Sequence, residues 1–181
     1  MTRIQPIDHN TADSAAADLL HTVKKKMGSV PNLIATMAHS PAVAKAYLGF
    51  SQTLSSGFLP PRLREQIALV VGETNRCDYC LAAHTALGKA AGLSEQETRA
   101  ARRAHSPVEK EQVALELARK IVQDRGMIAE TQLGRVRQAG YTDGEIAEIV
   151  AHVALNIFTN YFNHVAGTTV DFPAAPSLAA A

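Results

Sequence analysis

Three times in this chain a hydroxyl side chain stands three positions ahead of a glutamate, each time at the head of an amphipathic run. The pairs are Ser94 with Glu97, Ser106 with Glu109 and Thr142 with Glu145. A hydroxyl so placed accepts from the third helical amide while the glutamate reaches back to the cap amide, so the spacing marks a helix start. Ser40-Pro41 adds a cap followed by a proline, whose fixed φ suits the first helical position. Stops match the starts: Gly28, Gly57, Gly92, Gly126 and Gly140 each follow a periodic stretch, where a left-handed residue ends a helix. Between these signals apolar residues recur at three and four. Leu19, Leu20, Val23 and Met27 form one stripe, Leu63, Ile67, Val70 and Val71 a second, and Val113, Leu117 and Ile121 a third. A longer one runs through Ile146, Ile149, Val150, Val153, Ile157, Phe158, Tyr161 and Phe162. No alternating run bounded by hairpin turns competes with them. The expectation is an all-α fold of about eight helices.

The 181 residues suit one domain, 1–181, with a core that needs no covalent staples. An extended arm over residues 1–10, laid on a neighbouring subunit, and a solvated tail over 172–181 are expected at its periphery. Lys and Arg number 18 against 17 Asp and Glu, a net charge of +1. That balance disfavours a nucleic-acid partner, whose phosphates call for a basic surplus. The Arg99, Arg102 and Arg103 cluster reads as a solvated helix face. No apolar run approaches the roughly 20 residues of a membrane span, and no secretory leader is evident at the N-terminus. A cytoplasmic protein is therefore expected.

The only cysteines are Cys77 and Cys80. With Asn75 as an N-cap, Arg76 becomes the first helical residue, and Cys77, Cys80 and His84 fall at i, i+3 and i+7 on one stripe. A sulfur in the first turn meets orphan amides and the positive end of the helix dipole, which favour thiolate; on this ground alone Cys77 is the more acidic. His84 supplies a proton carrier near neutral pH. A nucleophile, a resolving thiol and a proton carrier are the parts of a dithiol redox site. Glu65 lies twelve positions before Cys77 on the preceding apolar helix; an antiparallel turn around Thr74-Asn75 brings it towards Cys77 and His84. A glutamate aimed inward there needs a partner. Two thiolates, an imidazole and Glu65 also form a zinc ligand set, but zinc sites usually draw ligands from two segments and no second Cys/His pair is present. A buried pair of small apolar thiols is the plain structural reading.

Glu65, eleven residues, Cys77, two residues, Cys80, three residues and His84 together resemble the signature of the AhpD-like alkylhydroperoxidase family, within the carboxymuconolactone decarboxylase superfamily. Gly28-Ser29-Val30-Pro31-Asn32, Leu63-Arg64-Glu65, Ala82-Ala83-His84 and Gly140-Tyr141-Thr142-Asp143 are similar to its peroxidase-related branch. The resemblance implies an all-α homo-oligomer, a trimer or hexamer, that reduces a small hydroperoxide with electrons from an external dithiol. It implies Cys80 as the peroxide-attacking thiol that becomes sulfenic acid, Cys77 as proton donor and resolving partner, and His84 and Glu65 as the rest of the relay. On these roles the resemblance is preferred to the dipole argument, whose weight is only about 1 kcal/mol. Familiar members carry a histidine between the cysteines where this chain has Tyr79. No cofactor or metal is called for, and no nucleotide or flavin fingerprint is present. A lactone decarboxylase and a non-catalytic redox-sensing oligomer remain the alternatives.

A repeat is visible as well. Glu148, Asn160 and Asn163 copy the spacing of Glu65, Cys77 and Cys80, which suggests a duplicated helical unit, residues 60–92 against 143–175, whose second copy has asparagines for sulfur. His152, Asn156, Asn160 and His164 recur every four residues on the last helix. They line either a substrate channel or subunit interface, or a face buried with its polar groups paired.

Overall fold

The computed structural model describes residues 1–8 and 13–178. Among them nine α-helices and no strand are found: α1 (Ser14–Met27), α2 (Asn32–Met37), α3 (Pro41–Ser55), α4 (Pro61–Thr74), α5 (Asp78–Ala90), α6 (Glu95–Arg102), α7 (Glu109–Gln123), α8 (Glu130–Gln138) and α9 (Asp143–Ala166). Capping does much of the punctuation. Ser94 with Glu97 and Thr142 with Glu145 form reciprocal capping boxes at α6 and α9. The third expected box does not form: α7 starts after Val108, and the Ser106 hydroxyl instead accepts from the Val108 amide and donates to Glu111. Ser106 stands two residues ahead of the Val108 cap, too early to cap α7 itself.

Helix α4 is the hub. Ile67, Leu69, Val70 and Val71 have no exposed surface, each such burial contributing about 1.5–3 kcal/mol. Helices α5, α6, α7 and α9 surround it. Its solvent-facing end is tied by Arg62, which pairs with Glu97 on α6 and, at 3.2 Å, with Glu111 on α7. Two cores result. One gathers α4, α7 and α9 with parts of α5, α6 and α8; the other joins α1, α2 and α3 to Cys77, Tyr79, Cys80 and Ala83. Helix α5 therefore stands at the seam between them.

The ends of the chain depart from expectation. The arm lies on its own chain, with Arg3 and Ile4 amides donating to the Ala166 carbonyl and the Ile7 amide to Ala35; residues 9 and 10 fall outside the described residues. The tail is not merely solvated. Phe172 meets the Tyr79 ring edge-on at 5.8 Å, Ala175 packs on the core, and Arg102 donates to the Pro176 carbonyl. Residues 179–181 lie outside the described residues. Arg102 itself is no solvated residue, since it also pairs with Glu73 at 2.6 Å. The duplication fails too. Residues 60–92 fold as α4, a break and α5, whereas Glu148, Asn160 and Asn163 sit on one unbroken 24-residue helix. The shared spacing reflects a shared helical period, not a shared unit.

Candidate functional site

The thiol pair sits where α4 turns into α5, and the turn is a helix stop before it is a helix start. The Cys77 amide donates to Gly72 (2.8 Å) and the Arg76 amide to Glu73 (3.0 Å), the paired bonds of a Schellman motif. Its left-handed position is filled by Arg76 at φ 56 rather than by glycine. Asn75 belongs to the end of α4, not to a cap of α5. Cys77 is itself the N-cap, its sulfur accepting from the Cys80 amide at 3.4 Å. With no glycine to mark the stop, sequence reasoning placed the helix start two residues early.

This shift reverses the expected acidity. Cys80, not Cys77, lies within the first turn of α5, and the two sulfurs are 2.6 Å apart as free cysteines with Cys77 donating. That donated hydrogen bond, followed by the charge of His84 and the amides of Asn163 and Asn160, pulls Cys80 down to about 6 against the opposing effect of burial. Cys77 goes up, first because it gives its proton to Cys80 and then through burial. The first-turn argument for Cys77 is thereby overturned.

Glu65 and His84 meet as expected. The His84 Nδ1 stands 2.8 Å from Glu65 Oε2, both side chains 22% exposed. Burial disfavours the imidazolium, but the Glu65 carboxylate outweighs it and His84 ends above its ordinary value. His84 also forms a wall shared by two cavities. One, of about 70 Å³, is lined by Cys80, Tyr79, Ala83, Leu33 and Phe172, and its rim includes the exposed Met27 and Leu87. The other, of about 160 Å³, holds Glu65, Arg64, His152 and Asn156. Tyr47 and Thr159 belong to the same wall. Tyr47 was not found from sequence. It comes from α3, is pushed up to about 12 by burial and by the charges of Cys80 and Glu65, and so keeps its proton. Only the period of α3 could have pointed to it. A groove of about 1000 Å³ between α1 and α3 shares Met27 with the Cys80 cavity but contains neither cysteine, nor Glu65, His84 or Tyr47.

Tyr79 is buried, and burial raises its phenol. The hydroxyl accepts from the Leu33 amide at 3.2 Å and bonds to Asp171, whose carboxylate also takes the Asn32 amide at 2.7 Å. The hydroxyl is thus turned to Leu33 and Asp171, and the ring braces the cavity. On α9, Asn163 reaches the sulfurs, its Nδ2 3.3 Å from Cys80 Sγ and 3.9 Å from Cys77 Sγ. Asn160 accepts from Asn75 at 2.9 Å. Asn156 bonds back to its own helix at the His152 carbonyl. His152 is buried and lowered, chiefly by that burial. His164 is exposed on the outer face against the Arg76 carbonyl, so it is not part of a buried polar face. Glu148, the supposed counterpart of Glu65, takes the Phe58 and Leu59 amides at 2.8 and 3.0 Å, ahead of α4.

A sequence model of the carboxymuconolactone decarboxylase family matches residues 41–124, from the start of α3 to the end of α7. A Mycobacterium tuberculosis (strain ATCC 25618 / H37Rv) protein named alkyl hydroperoxide reductase Rv2159c is 28% identical over 96 residues. The match takes in 52% of this chain and only 28% of that protein. Among solved structures, the alkylhydroperoxidase AhpD core of an uncharacterized peroxidase-related protein from Ralstonia eutropha JMP134 superposes with a TM-score of 0.81, at 23% identity and 94% of each chain. An uncharacterized peroxidase-related protein from Silicibacter sp. TM1040 gives 0.79, at 23% identity and 92% of each chain.

Proposed function

We propose, for a chain whose residues 41–124 match the carboxymuconolactone decarboxylase family and which carries the AhpD-like helical fold, a thiol-dependent peroxidase activity on small organic hydroperoxides. The observation that carries this reading is the geometry of the pair: two free sulfurs 2.6 Å apart, Cys77 donating to a Cys80 whose pKa is thereby lowered, with His84 and Glu65 paired beside them. The name of the mycobacterial relative supports it. A lactone decarboxylase has no use for such a pair.

In the cycle, the Cys80 thiolate attacks the terminal oxygen of the hydroperoxide. An S–O bond forms, the O–O bond breaks, and the leaving alkoxide takes a proton from His84, giving an alcohol and Cys80 sulfenic acid. The Cys77 sulfur then attacks Cys80; an S–S bond forms and the hydroxyl leaves with the Cys77 proton as water. An external dithiol returns both thiols by exchange and is itself oxidised to a disulfide. Glu65 keeps His84 charged for the first step. The apolar lining around Cys80 suits an organic substituent better than free hydrogen peroxide. The same proposal includes a homo-oligomer, trimer or hexamer, since Phe58, Tyr161 and Val165 leave apolar surface exposed; a monomer mass in analytical ultracentrifugation would remove that part.

The test is consumption of cumene hydroperoxide with dithiothreitol as reductant. The Cys80→Ser variant is expected to fall to the uncatalysed background. Cys77→Ser, given peroxide with no dithiothreitol present, is expected to turn over once and leave a sulfenic acid that dimedone tags on Cys80. Wild-type rates in both serine variants would end the proposal.

A further inference from the structure

The chemistry described so far uses groups on α4 and α5 alone, yet a third helix touches the reacting sulfur. Asn163 on α9 is 4% exposed and aims its Nδ2 at Cys80 Sγ, 3.3 Å away, with Cys77 Sγ at 3.9 Å. Asn160, one turn earlier, has no exposed surface and is fixed by Asn75 Nδ2 from the end of α4. The arrangement is costly. Asn163 Oδ1 finds no hydrogen-bond partner among the described residues and Asn160 Nδ2 faces nothing better than the Cys80 sulfur, and a buried unpaired polar atom costs about 1–3 kcal/mol. An apolar residue at either position would avoid that cost, as Val153, Leu155 and Ala166 do on a buried face that also holds His152, Asn156 and Thr159. What the amide supplies in return is a donor directed at a sulfur that must carry charge in a buried place.

We propose that Asn163 is a catalytic residue of the thiol site, its side-chain amide donating to the Cys80 thiolate and setting which of the two sulfurs is charged, with Asn160 as a positioning residue. This rests on the peroxidase reading for its purpose, though not for its measurement. A hydrogen bond to a thiolate lowers the thiol's pKa because only the charged form accepts strongly. Since Nδ2 stands nearer Cys80 than Cys77, it favours charge on Cys80. Because the donor belongs to α9, docking of α9 on the α4–α5 turn becomes a condition for a reactive thiol. The other groups acting on Cys80 are Cys77 in the turn, His84 on α5 with Glu65 of α4 behind it, the Asn160 amide one turn earlier on α9, and Tyr47 on α3; none of them is altered by replacing Asn163.

The experiment follows the thiolate itself. In a Cys77→Ser background Cys80 is the one thiol left, read by thiolate absorbance near 240 nm and by the pH profile of iodoacetamide alkylation. Asn163→Leu keeps the shape and removes the donor; it is expected to move the midpoint up by about one pH unit. Asn163→Asp keeps the shape and substitutes an acceptor, so it is expected to move the midpoint further in the same direction. That variant also serves if the leucine variant fails to fold, each being checked by circular dichroism. Asn160→Leu should give a smaller shift of the same sign. Midpoints in both Asn163 variants within 0.2 units of the parent, a margin of about 0.3 kcal/mol, would overturn the proposal. A moved midpoint in a protein without peroxide turnover would uphold it while the peroxidase reading fell. An unmoved midpoint alongside a dead Cys80→Ser peroxidase would do the reverse.

Discussion

At the scale of single residues, the site is a set of paired charges whose protonation can be followed. The donated Cys77 hydrogen bond holds Cys80 well below the ordinary thiol range, at about 6, so its alkylation and peroxide reaction rates are expected to climb through that region and level off above it. A midpoint near the ordinary thiol value, read from an iodoacetamide pH profile of the wild type, would contradict the geometry. His84 behaves in the opposite sense. Its folded pKa lies above its unfolded value because Glu65 stabilises the imidazolium. The stability this contributes is fully present below the unfolded pKa and is lost as pH rises through the folded one. Glu65→Gln removes the partner carboxylate, leaving burial to depress His84 instead. Urea unfolding from pH 5 to 9 should show that variant losing stability relative to wild type most at the acid end, with the two curves converging as pH rises. Equal differences at every pH would place Glu65 elsewhere than on His84.

At the scale of elements, the α4–α5 turn explains both what could be read in advance and what could not. The helices themselves were legible because caps, glycines and apolar periods agree over four or more turns, as at Thr142 to Phe162. The meeting of Glu65 with His84 was legible because two helices joined by a short turn must lie antiparallel. The register of the thiols was hidden by Arg76, a left-handed residue without the glycine that announces one. Tyr47 and Asn163 were hidden for another reason: they approach from α3 and α9, and a single stripe shows which face is buried but not what it faces. The Arg76 conformation carries its own prediction. A non-glycine residue there costs roughly 1 kcal/mol, so Arg76→Gly should raise stability by about 0.5–1 kcal/mol in thermal unfolding with the thiol pKa unchanged. The opposite result follows from cutting the tie between α4 and α7. Glu111 accepts from Arg62, from Gln66 at 2.8 Å and from Ser106 at 2.7 Å. Glu111→Ala strands all three donors, and a loss of about 2–4 kcal/mol is expected in urea unfolding. A loss below half a kcal/mol would show that the network is replaceable by water.

At the scale of the whole molecule, the thiols lie at the seam of two cores, and the last segment of the chain crosses that seam. Gly167 ends α9 in the left-handed conformation. From there Thr169 accepts from Asn32 at 3.0 Å, Asp171 takes the Asn32 amide and the Tyr79 hydroxyl, and Phe172 lies on the Tyr79 ring. Phe172 then lines the cavity over Cys80, and Pro176 is held by Arg102 on α6. Tyr79 is thus tied to the tail at both its ring and its hydroxyl, which accounts for a neutral aromatic between the two cysteines. Cys80 lies at 3% exposure beneath the tail, although in the proposed cycle its sulfur meets a small oxidant. Phe172→Ala should therefore separate cover from chemistry. Removing a part-buried ring is expected to lower stability by about 1–2 kcal/mol, and alkylation of Cys80 at pH 8, where it is already thiolate, should speed up several-fold. Because the groups that set its charge are untouched, the midpoint of the alkylation profile should stay near 6. An unchanged alkylation rate would mean that reagents reach the sulfur past Met27 and Leu87 regardless of the tail; a shifted midpoint would mean that the tail helps to hold the thiolate, through Tyr79 or through the α9 it extends.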